Sequence, residues 1–356
     1  MKSLEALASG TFTTSDIVPA LPKIIAKEIE RGVYEKSIAQ QLCRVDRSLV
    51  GKGQTLTVLK LGQVDATVVS EGTDLDSALS AQKPNVTSVH ITPIKIATRL
   101  LVTKELEEDQ GVEILALAVE DAQLKIADLL DEKIFETLLG VESTVTAYSG
   151  GATTTTHLAL ASGYPVLKIV SVVAEGATVT DYTVKYWNNG SPELIFSSSK
   201  TSATVTYKIS THTTNVVEAN TKGQLAYKDL LKAKRKIRVQ KFDANVAVLY
   251  PEEVEDLVNE VKNFDTYGTN EVLLNGEVGK LGGLKILETT KMYPGVGLVL
   301  DTKRCAVYVP KRKLTVTKQE KPNLDATAIY MYMRAGVGVV REEALSIITG
   351  AQSDAV

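Results

Sequence analysis

The sequence predicts an α+β protein with an inserted all-β domain. Three observations lead there. Val112 to Leu139 is one long amphipathic helical run; stretches rich in β-branched residues lie on both sides of it; and residues 144–214 switch to Ser/Thr-rich sequence with clean period-two alternation.

Taken in order, residues 1–50 read as an arm. Pro19 and Pro22 discourage helix before them, and Ile24, Ile25, Ile29, Val33, Ile38 and Leu42 mark two short amphipathic turns around Gly32. Lys and Arg number seven there against six Asp and Glu, so the arm is not a basic nucleic-acid tail. Thr55–Leu61 and Ala66–Ser70 are expected strands, followed by a polar tip at 73–84 and further strand from Val86 to Val102. Together, residues 51–102 describe an extended hairpin with little core of its own. Thr103 is placed to cap an acidic turn holding Glu105, Glu107, Glu108 and Asp109, and Gly111 separates that turn from the long helix.

In the helix, Val112, Leu115, Val119, Ala122, Ile126, Leu129 and Leu130 recur at spacings of three and four, so one face is apolar; Gly140 is the natural stop. Its length is roughly 42 Å at 1.5 Å per residue, the width of a whole domain. The spacing keeps no strict heptad, so a spine laid across a sheet is expected rather than a coiled coil. Over the 71 residues 144–214 Thr and Ser supply 24 and charged residues only seven. Tyr182, Val184 and Tyr186, and then Val205, Tyr207 and Ile209, alternate with polar neighbours, and Asn188-Asn189-Gly190 signals a turn. Residues 144–214 therefore read as a small inserted β-sandwich. Beyond it come a helix at Leu225–Ile237, a buried strand at Val246–Leu249 and a helix at Pro251–Val261 with proline in its first turn. A glycine-punctuated turn leads into a strand by Ile286. Gly297–Thr317 and Ala326–Val340 are expected in one antiparallel sheet with the spine on its face.

The net charge of −3 over 356 residues argues against a general nucleic-acid binder, and no apolar run has membrane length. The first residues lack a signal peptide's apolar core, and Cys43 and Cys305 have no ligand-like spacing, which suits a reducing compartment. No catalytic, cofactor-binding or metal-binding residue is assigned. His90, His157 and His212 sit in separate segments without a ligand-spaced companion. Gly276 to Gly283 lacks the Gly-Lys-Ser/Thr of a phosphate loop and reads as turn geometry. Lys232, Lys234, Arg235, Lys236, Arg238 and Lys241 form a basic cluster, better explained as a solvated helix end than as a nucleic-acid contact. The acidic group at 105–109 is a charged first turn, not an acid/base pair.

The order of arm, long hairpin, spine helix, central α/β region and closing sheet resembles the Hong Kong 97-type (HK97) major capsid protein of tailed bacteriophages and related viruses. Ala66 to Gly72 is similar to that family's extended-loop strand, Ile91 to Leu106 to its strand into the spine, and Ala127 to Gly140 to its spine end. Leu274 to Ile286 resembles the glycine-marked hairpin of its axial domain, and Tyr330 to Glu343 its last peripheral strand. Only residues 144–214 fall outside the resemblance, and they look like the immunoglobulin-like surface domains of some members.

This resemblance implies an N-terminal arm (1–50), an extended loop (51–102), a peripheral domain with the spine helix (103–143 and 297–356), the insert (144–214) and an axial domain (215–296). It implies no enzyme and no cofactor, but a head protein that self-assembles as pentamers and hexamers into an icosahedral shell. That shell would be assembled in the host cytoplasm around double-stranded DNA held without sequence specificity. The short arm implies a separate scaffolding protein, beside a portal and decoration proteins; no membrane is involved. Members that crosslink use a loop Lys and a peripheral Asn; Lys83 and Asn323 are available here but are not assigned that chemistry. An encapsulin-type nanocompartment shell shares the fold, and a Ser/Thr-rich adhesin or glycan-binding protein is the rival from another class.

Overall fold

In the computed structural model the described residues are 38–50, 53–62, 66–71, 74, 85–104, 112–149, 155–160, 165–185, 193–219, 224–263 and 280–350. Most of the expected arm, the tip of the extended loop, the acidic turn at 105–109, Trp187 with the Asn188–Gly190 turn, and Gly276–Gly279 lie outside them.

After a single 3-10 turn at Ala39–Leu42, the chain runs through β1 (Arg44–Val45), β2 (Leu56–Leu61), β3 (Val86–Ile91) and β4 (Ile94–Thr103) into helix α1 (Val112–Leu139). Seven strands follow: β5 (Val141–Ser149), β6 (Thr155–Ala159), β7 (Val166–Ala174), β8 (Ala177–Thr178), β9 (Tyr182–Lys185), β10 (Glu193–Lys200) and β11 (Ser202–Ser210). Then come β12 (Val216–Glu218), α2 (Tyr227–Val239), β13 (Val246–Leu249), α3 (Pro251–Asn263), β14 (Lys280–Leu281), β15 (Leu284–Glu288) and β16 (Gly297–Leu300). The chain closes with β17 (Ala306–Lys321), β18 (Ala326–Val339) and β19 (Leu345–Thr349).

The spine helix has the bounds its periodicity predicts. From Val119 onward, where its side chains are described, it buries Ala122, Ile126, Leu130, Ile134, Phe135, Leu138 and Leu139. Leu129, expected on that face, is 37% exposed, and Asp131 beside the stripe is buried instead. At 3.6 residues per turn each i+4 step drifts about 40° around the axis, so the buried stripe winds from Ala122 to Leu138 away from the side that Leu129 shares with Ala122. The helix packs on β18 and β4.

That sheet has the order β1-β17-β18-β4, parallel between β1 and β17 and antiparallel elsewhere. Ile329, Met331 and Ala335 of β18 and Ile96 of β4 share the spine-side core with Tyr308 of β17. The expectation of one closing sheet is corrected here. Gly297–Leu300, together with Leu345–Thr349, belongs to a second, mixed sheet of order β12-β19-β16-β13-β15-β14. The turn at 301–305 hands the chain from one sheet to the other, and Cys305 N donates to the Asp301 carbonyl at 3.0 Å. The reason is burial on two sides. Val246, Val248, Leu298, Leu300, Leu345 and Ile347 face the spine-side core, whereas Ala247, Leu249, Val299 and Ile348 face the core beneath α2 and α3. Continuous apolar runs suit a sheet covered on both faces.

Residues 141–210 form two sheets, β5-β11-β7-β8 and β6-β10-β9, around their own cluster of Leu158, Val172, Leu194, Phe196, Val205 and Tyr207. Ala203, Val205, Tyr207 and Ile209 point inward as their alternation requires, and the fully buried Tyr207 places its hydroxyl 2.8 Å from Thr146 Oγ1.

A second correction concerns Ala66–Ser70. Among the described residues this stretch joins no ladder, and the hairpin pairs β2 with β3 from Leu56↔Ile91 to Leu61↔Val86. Nor does Val86–Val102 run on as one strand. Between β3 and β4, Pro93 has no N–H to give, and the chain changes sheets there.

Candidate assembly surfaces

The β2–β3 hairpin is anchored at its base. Ile91 packs with Leu49, Val307 and Val309, joined by Leu56, Val58, Val89 and Val340. Close approach depends on two glycines of β18. A Cβ at Gly338 would lie 2.6 Å from Ile91 Cγ1, and one at Gly336 would lie 3.1 Å from Pro93 Cα. Lys60 Nζ meets Glu343 Oε1 at 2.6 Å. Partial burial works against ionisation of Glu343, but the hydrogen bond and charge of Lys60 outweigh it and hold the carboxyl below its usual range. Outward from this anchor the hairpin loses cover. Leu59 is 66% exposed, Leu61 62% and Val86 51%, and Val68 in the unladdered stretch beyond is 99% exposed.

On the sheet face away from the spine, the register aligns Lys95, Arg334 and Arg312 in one row, with Arg99, Tyr330 and Thr317 in another and Ala97, Tyr332 and Thr315 between them. The Lys95 ammonium lies 5.1 Å from the Tyr332 ring centroid, the Arg312 guanidinium 5.6 Å from the same centroid, and Arg99 5.8 Å from that of Tyr330. This band escaped the sequence reading. Its signal was present as period-two spacing, Lys95-x-x-x-Arg99 against Tyr330-x-Tyr332-x-Arg334, but the face appears only once β4 and β18 are paired.

Residues 141–210 meet the spine through a stitched neck. Thr211 N donates to the Gly140 carbonyl at 2.8 Å, and Ser210 Oγ donates to the Leu139 carbonyl at 2.5 Å. Gly140 has φ +59, and a Cβ there would lie 2.5 Å from Thr211 Oγ1. Beside the neck is a cleft of about 770 Å³ between the spine, these strands and the 290–294 loop. Lys208 Nζ bridges it, 3.1 Å from the Tyr293 hydroxyl and 3.6 Å from Glu136 Oε1; Lys291 pairs with Asp128 on the same rim.

The remaining candidates do not converge. His90 is exposed beside Thr57 and Ser88, His157 is exposed on β6, and His212 is buried at the neck with Nδ1 3.4 Å from Glu342 Oε1. Among the described residues no group of three or more His, Cys, Asp or Glu could hold a metal. In the basic cluster, Lys232 pairs with buried Asp229, Lys234 Nζ donates to the Gly282 carbonyl at 2.8 Å, and Lys236 donates to that of Val216. Two of the six thus tie α2 to neighbouring segments, and Lys232 pairs within the helix. Asn323 is exposed in the β17–β18 turn, and Lys83 lies outside the described residues. Cys43 and Cys305, distant in sequence, share one core as free thiols; burial pushes Cys43 up to about 12 and Cys305 higher still. Glu253, in the first turn of α3, is buried; one carboxylate oxygen accepts from Gly295 N and the other has no hydrogen-bond partner. Burial raises its pKa to about 7 against the opposing pull of that bond. No described helix is long and apolar enough to cross a membrane.

Comparison with known proteins bears on these surfaces directly. Residues 19–178 match the model of the phage capsid family. Among solved structures, the capsid of cyanophage P-SCSP1u is similar at 14% identity and a TM-score of 0.59, covering 99% of each chain. Mycobacterium phage Che8 is similar at 15% and 0.58, covering 94% of this chain and 98% of that one. The capsid of a native GTA particle is similar at 15% and 0.55, again covering 94% and 98%. No curated protein matches the chain. The chain thus carries the sequence pattern of the phage capsid family over residues 19–178 and shares the fold of these capsid structures over nearly its whole length.

Proposed function

We propose that this protein is the major capsid subunit of a phage-like particle, a structural rather than catalytic protein that assembles with copies of itself into a closed icosahedral shell. The observation that carries this reading is the β2–β3 hairpin. It projects exposed Leu59, Leu61 and Val86 from an anchored base, and apolar surface of that kind is buried in an assembly rather than in a lone subunit. The similar structures are capsids by their own descriptions. Residues 38–50 belong to the arm, β2–β3 to the extended loop, and the sheets around the spine and around β13 to the peripheral and axial units. In this reading the 141–210 sandwich is an immunoglobulin-like surface domain. The shell encloses double-stranded DNA without sequence specificity, and a scaffolding protein, a portal and decoration proteins complete the particle. The test is sedimentation and negative-stain microscopy of the full-length chain, alone and co-expressed with its neighbouring structural genes. Closed shells or pentameric and hexameric rings are expected; a strictly monomeric, folded species under all conditions overturns the proposal. Shells filled with a co-encoded enzyme instead of DNA would favour a nanocompartment.

A further inference from the structure

We propose that Cys43 and Cys305 are a latent redox pair: oxidation joins them in a disulfide that ties the root of the N-terminal arm to the start of β17. The pair lies within one subunit, so the proposal stands or falls separately from the assembly reading above.

Placement carries the inference. The chain has two cysteines, far apart in sequence, and the fold brings both into the spine-side core as free thiols, Cys43 6% exposed and Cys305 0%. Strand β1 runs parallel to β17, with Arg44 level with Val307 and Val45 level with Tyr308. Carried one step back, that register sets Cys43 level with Ala306, the neighbour of Cys305. A ladder spacing of about 4.8 Å and a rise of about 3.3 Å leave such diagonal Cα atoms roughly 6 Å apart, inside the ~4.4–6.8 Å that a disulfide spans. Cys305 sits at the bend just before β17, outside the alternation of that strand, and its side chain shares the spine-side core with Cys43. Burial is the main brake on a thiolate at Cys305; among the charges that oppose one, Cys43 comes first, ahead of Asp301 and Glu342.

The same burial sets when the bond can form. The thiolate is the nucleophile, and burial pushes Cys43 up to about 12, so the closed pair is inert. Strand β1, however, is a two-residue strand at the edge of its sheet, and an edge that short opens locally well before the subunit unfolds. In the opened form the Cys43 thiolate attacks one sulfur of a low-molecular-weight disulfide such as oxidised glutathione and expels one thiolate. The Cys305 thiolate then attacks the Cys43 sulfur of the mixed disulfide and expels the second. The protein loses two protons and two electrons, and the oxidant leaves as two thiols. In a reducing compartment the pair stays reduced; an oxidising medium closes it. The bond shuts a loop that spans most of the chain, and the root of the arm can no longer peel away from β17.

The test holds the full-length chain in oxidised glutathione at pH 8 under native conditions. The expected product is a single chain lighter by two hydrogens, with no thiol left to titrate and one linked Cys43–Cys305 peptide in a non-reducing digest. Its melting temperature should rise by about 5 °C or more, and dithiothreitol should reverse the change. Cys43→Ser and Cys305→Ser should each abolish the linked peptide and the shift on oxidation; Cys43→Ala and Cys305→Ala make the same comparison should the buried hydroxyl disturb folding. Two thiols still titratable after prolonged oxidation of the wild type overturn the proposal. So do glutathione adducts without the internal bond, disulfides between chains, or a linked peptide that forms only once the protein is globally unfolded. Each of those results leaves the capsid reading untouched, because none of them depends on assembly.

Discussion

The Gly140 carbonyl accepts the Thr211 N–H at 2.8 Å, closing a loop of seventy residues at the end of the β5–β11 ladder. Entry and exit of the sandwich are therefore adjacent, and the spine ends where the neck begins. A splice between Gly140 and Thr211, both joints lying three or four residues N-terminal of the expected Thr144 and Thr214, should leave the spine and both host sheets folded with their cooperative transition intact. Aggregation of the spliced protein under all refolding conditions would show that the sandwich is integral to the host. Gly140→Ala in the full chain should cost about 1–3 kcal/mol, from the left-handed backbone and from the 2.5 Å approach to Thr211 Oγ1. Chemical denaturation measures it.

At the base of the hairpin, Gly338→Ala should destabilise the subunit by about 1–3 kcal/mol, because its methyl group would lie 2.6 Å from Ile91 Cγ1 inside a packed cluster. Ile91→Val in the same chain should return part of that loss. Additive costs in the double variant would mean that the two residues do not share the space.

Glu253 predicts a pH dependence with a definite sign. Its folded pKa, about 7, lies above the ordinary 4.5, so the folded state holds the proton more tightly than the unfolded chain. Its favourable contribution is complete below about 4.5 and is lost as pH rises through about 7. Glu253→Gln keeps an acceptor for Gly295 N–H and cannot ionise. Relative to wild type it should be near neutral at pH 5 and stabilising at pH 8, by up to about 3 kcal/mol at 1.36 kcal/mol per pH unit. A difference between the two proteins that does not change with pH would show that this carboxyl titrates normally.

Replacing residues 72–84 with Asn-Gly should leave subunit stability within about 0.5 kcal/mol of wild type, since the described anchor of the hairpin lies in β2, β3 and the Ile91 cluster. Assembly should fall sharply. The paired measurement is subunit denaturation against particle yield; a large stability loss with normal yield would place the loop inside a subunit core.

Local sequence was sufficient wherever one periodicity ran without interruption. The spine was legible because Val119, Ala122, Ile126 and Leu130 recur at spacings of three and four on one face, and a glycine tolerating φ +59 ends it. The inward set Val205, Tyr207 and Ile209 was legible for the same reason at period two. Leu129 was misplaced because a run of apolar residues leaves the edge of a helical stripe undefined until its partner surface is known.

Pairing could not be read in this way. Gly297–Leu300 and Ala306–Val309 are both apolar and close in sequence, yet they enter different sheets, because strand partners come from distant segments whose complementarity no local pattern encodes. Ala66–Ser70 has a strand's composition and, among the described residues, no strand's partner, which composition alone cannot reveal. Lys95, Arg99, Tyr330 and Tyr332 became one surface only when β4 and β18 aligned. By itself the sequence determined most of the segments that would be helix or strand and most of the apolar faces, since those follow from residue spacing and local backbone preference. Tertiary structure alone decided which strands share a sheet and which charged rows meet, because that choice is made by long-range burial across the whole chain.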